Sequence, residues 1–213
     1  MKIHIQPTGM IETNCIILAH ESKKALVIDP GADADVLSAT LNQHDLTVIG
    51  YPFTHGHYDH VCGIADLHEN HPAPCWMHPK DLSWAFTSRN QNLPWYTQPD
   101  PNRIPEITSA WEKDGVFTIG PFTFNTLFIP GHSPGSVGFY FPEDKLLIGG
   151  DVLFKGGMGR YDLPGGDLNT LMKSLRTLSK LPPETRVYPG HGPHTTIGHE
   201  LKTNPYLAEA LKR

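Results

Sequence analysis

Cysteine is scarce in this chain. Three residues in 213, Cys15, Cys62 and Cys75, are an odd number at unrelated spacings, which argues against a disulfide framework. Clusters of lysine or arginine are missing too. With 17 basic against 22 acidic residues the formal net charge is −5, which argues against a nucleic-acid or anionic-membrane surface and leaves a small molecule as the expected partner. No stretch reaches the roughly 18 apolar residues of a membrane span. The opening "MKIHIQPTGMIETN" is polar by its sixth residue and lacks the unbroken apolar run of a secretion signal. These absences predict a cytoplasmic protein, and without a long exposed apolar stripe, a monomer. At this length one core suffices, so residues 1 to 213 are expected to form a single domain.

Short apolar runs bounded by charge, proline and glycine predict strands at "NCIILAH" (14 to 20), "KALVIDPG" (24 to 31) and "LTVIGYPF", with a helix over "DADVLSATLNQH" between the last two. "GIADLHEN" follows as a short helix and "APCWMH" as a strand. Periodicity is lost over 79 to 115, a segment rich in proline, asparagine and glutamine that holds Trp84, Trp95 and Trp111. Those indoles are expected either to cover a sheet edge or to line a pocket. Strands resume at "FTFNTLFIP", "SVGFYF" and "KLLIGGD". "GDLNTLMKSLRTLSKL" carries a helical stripe that Pro182 and Pro183 terminate. "TRVYPG" is a last strand, and Asn204-Pro205 reads as the cap and first position of a closing helix. Strands dominate both halves, so the fold class is α+β: two sheets with helices outside, not one strictly alternating parallel sheet.

The chemistry is concentrated in "THGHYDHVCG" (54 to 63). His55 and His57, two apart at the end of an extended segment, point the same way. Two imidazoles converging on one point suit a divalent transition metal such as zinc or iron. Asp59 and His60 fall where the chain turns into a helix and can face a second point. Three more ligand types follow apolar strands beside glycine: His132 in "PGHSPGS", Asp151 in "LLIGGD" and His191 in "YPGHGP". The remaining histidines are scattered and read as structural. A closed structural zinc site would use four ligands and favour cysteine. This set has no cysteine and more ligands than one closed site uses, so a catalytic centre with two metals is expected. Metal-bound water ionises near neutral pH, and two ions can clamp a carbonyl and share one hydroxide. Asp151 is the natural bridge, and Asp59 can bind one ion while holding the hydroxide. Cys62 has no activating base in view and reads as a small apolar residue.

The run His55, His57, Asp59, His60, His132, Asp151, His191 resembles the H-x-H-x-D-H pattern, with later His, Asp and His, of the metallo-β-lactamase superfamily. That resemblance implies a four-layer αβ/βα sandwich, with His55, His57 and His132 on one metal, Asp59, His60 and His191 on the other, and Asp151 between them. "GHSPGSVGFY", "GGDVLFKGGMGRYDLPGGD" and "YPGHGPHTTIGHELKTNP" are most similar to the short bacterial glyoxalase II-like branch, the YcbL type. The implied reaction is hydrolysis of S-D-lactoylglutathione, a hydroxyacylglutathione, to D-lactate and glutathione by a metal-bound hydroxide, with two zinc or iron ions per chain. Arg160 aligns with that family's carboxylate-binding lysine and, with Tyr161, is the implied substrate contact; the bland alternative is an ion-paired loop arginine. Longer glyoxalase II enzymes add a C-terminal helical domain, for which no segment is expected here, and a tyrosine where this chain has Pro193. A rival on the same scaffold is persulfide dioxygenase, with one iron on the positions of His55, His132 and Asp151. A lactonase, a β-lactamase or a non-catalytic binding module fits less of the pattern.

Overall fold

The computed structural model describes residues 1 to 90 and 99 to 212; Trp95 lies outside them. Two compact units divide the chain. The first comprises residues 1 to 110 with 118 to 122, and the second 111 to 117 with 123 onward.

The first unit is built on a six-stranded sheet ordered along the chain: β1 (Lys2–Thr8), β2 (Thr13–Ala19), β3 (Lys24–Ile28), β4 (Thr47–Pro52), β5 (Cys75–Met77) and β6 (Ile107–Ser109). The hairpin pairs β1 to β3 are antiparallel, and β3 to β6 run parallel. Parallel neighbours need crossovers. Helix α1 (Ala34–Gln43) provides the first, and α2 (Tyr58–Val61) with α3 (Ile64–Asn70) the second. Leu37 and Leu41 of α1 and Ile64 and Leu67 of α3 pack with Ile17, Val27 and Tyr51 of the sheet in one apolar cluster. β2 is buried at all seven positions, so after Thr13 and Asn14 it reads as an unbroken apolar run, "CIILA", and not as an alternation. The segment without periodicity also has structure. It contains α4 (Pro79–Leu82), two short 3₁₀ turns and β6.

The second unit holds the other sheet. Its strands are β7 (Gly115–Ile119), β8 (Phe122–Phe128), β9 (Val137–Phe141), β10 (Leu146–Gly150), β13 (Arg186–Pro189) and β14 (Thr195–Thr196), while β11 (Leu153–Phe154) and β12 (Gly157–Met158) form a separate hairpin. β10 and β13 are parallel, and α5 (Leu168–Leu178) lies between them in sequence. The predicted stripe is the buried face of α5: Leu171, Met172, Leu175 and Leu178 are all in the core. Asp167 caps it, accepting from the Thr170 N–H at 2.7 Å. α6 (Ile197–Thr203) and α7 (Pro205–Lys212) follow β14. The Asn204 cap is as expected, its Oδ1 accepting from the N–H groups of Tyr206 and Leu207. Trp111 is buried among Phe124 and Phe139, so this indole belongs to a core and to neither sheet-edge cover nor pocket. No helix among the described residues is long and apolar enough to cross a membrane.

Candidate functional site

Four of the seven predicted ligands belong to the first unit. β4 ends at Pro52, and the five residues after it carry His55 and His57 to the N-terminus of α2, whose cap is His57. The two rings stand nearly perpendicular with centroids 4.8 Å apart, and His55 and His60 approach to 4.0 Å. His55, His57 and His60 are buried, and Asp59 is half-buried. Asp59 turns toward β2, where its Oδ2 accepts from the Thr13 hydroxyl at 2.7 Å. Gly31 lets this happen: a Cβ there would lie 1.7 Å from the Asp59 carbonyl oxygen.

A residue not foreseen as functional organises this group. Asp29, 2 % exposed at the end of β3, accepts from the Thr54 N–H at 2.8 Å, from the Thr54 hydroxyl at 2.5 Å and from His60 Nδ1 at 2.9 Å. A carboxylate only accepts, so His60 carries its proton on Nδ1. The Thr54 hydroxyl spends its proton on Asp29, so it must accept from His55 Nδ1, 3.0 Å away. One carboxylate thus fixes the tautomer of two histidines and leaves both Nε2 atoms with a lone pair, as metal-binding imidazoles require. Asp29 could have been found. "LVIDPG" has nearly the form that singled out Asp151, an apolar strand ending in an acid, here with Pro30 and then Gly31 after it.

The other three ligands belong to the second unit and follow β8, β10 and β13. His132 is buried, and its Nδ1 donates to the Arg160 carbonyl at 2.7 Å, so its Nε2 also carries a lone pair. Asp151 Oδ2 lies 3.5 Å from His132 Nε2 and 3.4 Å from His191 Nε2. One carboxylate oxygen faces two imidazole nitrogens. In the first unit, His60 Nε2 faces Asp59 Oδ2 at 3.2 Å.

Acceptor atoms that face each other repel unless a positive charge lies near both. Where the histidine proton is already committed to Nδ1, a divalent cation satisfies the pair at no cost to the tautomer. The donor set of imidazole nitrogen and carboxylate oxygen is the one zinc and iron take. Asp29, His55 and His60 also offer three ligand atoms within 4.8 Å of one another, but Asp29 is already held by three donors and acts behind the ligands.

Arg160 is ion-paired within its own loop. Its guanidinium, 60 % exposed, makes two bonds to Asp162, Nε to Oδ1 at 2.8 Å and Nη2 to Oδ2 at 3.0 Å. Its main-chain oxygen holds His132. Tyr161 is exposed. Cys62 is half-buried with its Sγ donating to the Gly31 carbonyl. Burial, and then the nearby Asp59, push this thiol up to about 12, so it is not an activated nucleophile.

A family model for the metallo-beta-lactamase superfamily matches residues 9 to 191. The chain belongs to that superfamily, and its mixed α+β fold is the superfamily's. Two curated relatives match nearly end to end. The probable metallo-hydrolase YqgX of Bacillus subtilis is 36% identical, covering 97% of this chain and 98% of its own. Hydroxyacylglutathione hydrolase GloC of Haemophilus influenzae is 34% identical with the same coverages. Among solved structures, the BLEG-1 B3 metallo-beta-lactamase is 36% identical with a TM-score of 0.88, over 97% of this chain and 99% of that one. TTHA1623 in a di-iron-bound form is 36% identical with a TM-score of 0.80, over 95% and 99%. ETHE1 from Myxococcus xanthus is 25% identical with a TM-score of 0.78, over 98% and 85%.

Proposed function

We propose that this chain is a metal-dependent thioester hydrolase of glyoxalase II type that converts S-D-lactoylglutathione to D-lactate and glutathione. The observation that carries the reading is the facing of acceptors, His60 Nε2 against Asp59 Oδ2 and His132 Nε2 against Asp151 Oδ2, with His191 Nε2 3.4 Å from the same Asp151 oxygen. Its shape suits two cations with Asp151 shared. The likeness to GloC supports the substrate class, and the di-iron form of TTHA1623 supports a two-metal centre. In this proposal His55, His57 and His132 hold one ion, Asp59, His60 and His191 the other, and Asp151 bridges; zinc and iron both fit. Bound there, the ions would ionise water and polarise the thioester carbonyl.

The rest is the work of the chain's own groups. Asp29 keeps the proton of His60 on Nδ1 and, through Thr54, that of His55 as well. Asp59, its plane set by the Thr13 hydroxyl, is the catalytic residue: its carboxylate accepts the proton of the attacking water and aims the oxygen at the carbonyl carbon. As the C–S bond breaks, glutathione leaves as a thiolate, a stable enough anion to need no strong acid. Arg160 and Tyr161 are proposed on the glutathione side. There a substrate carboxylate exchanges for Asp162 on the guanidinium fork.

A second reading, an iron persulfide dioxygenase, draws on the likeness to ETHE1. The test that separates them assays purified protein of known metal content against S-D-lactoylglutathione and, in parallel, against glutathione persulfide with oxygen uptake. Thioester cleavage without oxygen uptake is expected. Oxygen uptake with no cleavage would replace the hydrolase reading with the second.

A further inference from the structure

Gly56, between the two histidines of "HGH", is gripped through both of its main-chain polar groups by a segment that the sequence left without a role. Its N–H donates to Asp81 Oδ2 at 2.9 Å, and its carbonyl accepts from Asn90 Nδ2 at 2.7 Å. Asp81 is fully buried, and Asn90 is 5 % exposed. A buried carboxylate and a buried amide are costly unless they are held, and both are spent here on the main chain of one residue. The segment is itself braced. His78 caps α4 by accepting from the Lys80 N–H at 3.1 Å, with Pro79 at the first helical position. The Ala85 N–H donates to the Asp81 carbonyl, and Asn90 Nδ2 also donates to the Ala85 carbonyl. Fit is close as well: a Cβ on Gly56 would lie 3.0 Å from Ala85 Cβ and 3.1 Å from Asp81 Cβ. From the same segment Trp84 sets its indole 5.4 Å from the His57 ring, tilted by 55°.

We propose that residues 78 to 90 form a clamp that sets the aim of His55 and His57, with Asp81 and Asn90 as positioning residues. The physical reason is leverage. β4 ends at Pro52, so the two peptides that join His55 to His57 lie beyond its ladder. The Gly56 N–H belongs to the peptide that follows His55 and the Gly56 C=O to the peptide that precedes His57, so the clamp holds one peptide beside each histidine and resists the rotations that would swing either imidazole. Asp29 fixes which nitrogen of His55 binds, whereas the clamp fixes where His55 and His57 point. The inference rests on the reading of these two histidines as metal ligands.

Titration of metal-free protein with Co²⁺, followed through its visible absorption bands, tests it. Asn90→Ala should weaken cobalt affinity by about 10- to 100-fold, the usual cost of losing a group that orients a ligand, and alter the bands. Asn90→Asp, close in shape but presenting oxygen to the Gly56 carbonyl, should do the same and stands in if the alanine variant does not fold. Asp81→Asn, which keeps an acceptor for the Gly56 N–H, should recover most of the affinity that Asp81→Ala loses. Variants that melt at lower temperature yet bind cobalt with wild-type affinity and spectrum would overturn the clamp and leave the metal reading standing. Wild-type protein that takes up no cobalt would overturn both.

Discussion

Asp29, Thr13 and Asp59 separate what a side chain binds from what it holds in place. Asp59→Ala should leave the fold intact, because the residue is half-buried and begins a short helix, yet lower kcat for thioester hydrolysis by about 10²- to 10⁴-fold, the range for a lost proton acceptor. Near-normal turnover at full metal content would refute its role. Asp29→Ala should act through metal content instead. With two imidazoles freed to take the wrong tautomer, metal affinity should fall by about 10- to 100-fold, measured by equilibrium dialysis. For Arg160 the side chain and the main chain do different jobs. Since the carbonyl survives substitution, Arg160→Ala should keep the metal and raise KM for glutathione thioesters alone; an equal rise for a simple acyl thioester would reject carboxylate binding there. The candidate ligands stood out because four sit in one compact motif and three more follow strand ends. Asp29 carried the strand-end signal of Asp151 and was passed over, while Thr13 carried none, since its meaning comes only when β2 brings it beside Asp59.

Elements whose signal is local were readable in advance. α5 announced itself by a stripe of leucine and methionine and a Pro-Pro stop; the stripe is in the core, Asp167 caps the start, and the helix ends at Leu178, ahead of Pro182. Asp167→Ala should cost about 0.5 to 2 kcal/mol and Leu175→Ala about 2 to 5 kcal/mol, both measured by chemical denaturation; a loss near zero at Leu175 would contradict its place in the core. Elements whose signal is tertiary were hidden. β1, "KIHIQPT", has a half-exposed pattern and a proline, and it becomes a strand by pairing along all seven residues with the buried β2. β6 and α4 are three and four residues long, too short for periodicity to show. What defines α4 is its cap and its hold on Gly56, neither of which is a pattern of hydrophobicity. Trp84 and Trp111 look alike in the sequence and differ in fate, one beside His57 and the other in an aromatic core.

For the whole molecule, the buried groups set a pH limit on the alkaline side. Burial pushes the Cys75 thiol from its usual value near 9 up to about 12, and the buried phenol of Tyr51 is raised as well, by burial and then by Cys75. A group raised in the folded state favours folding below its unfolded value and withdraws that support as pH climbs toward the folded one. Stability should therefore hold to about pH 9 and fall between about 9 and 12, read as a denaturation midpoint against pH. A flat profile across that window would contradict the burial of these groups. The family match runs from residue 9 to residue 191 and so takes in all seven proposed ligands, and this makes metal stoichiometry the decisive property of the chain. The most direct measurement is turnover of S-D-lactoylglutathione as metal-free protein is titrated with zinc or ferrous iron. The account predicts activity that rises with metal and reaches its plateau at two ions per chain. A chain that binds two ions and leaves the thioester uncleaved would contradict it.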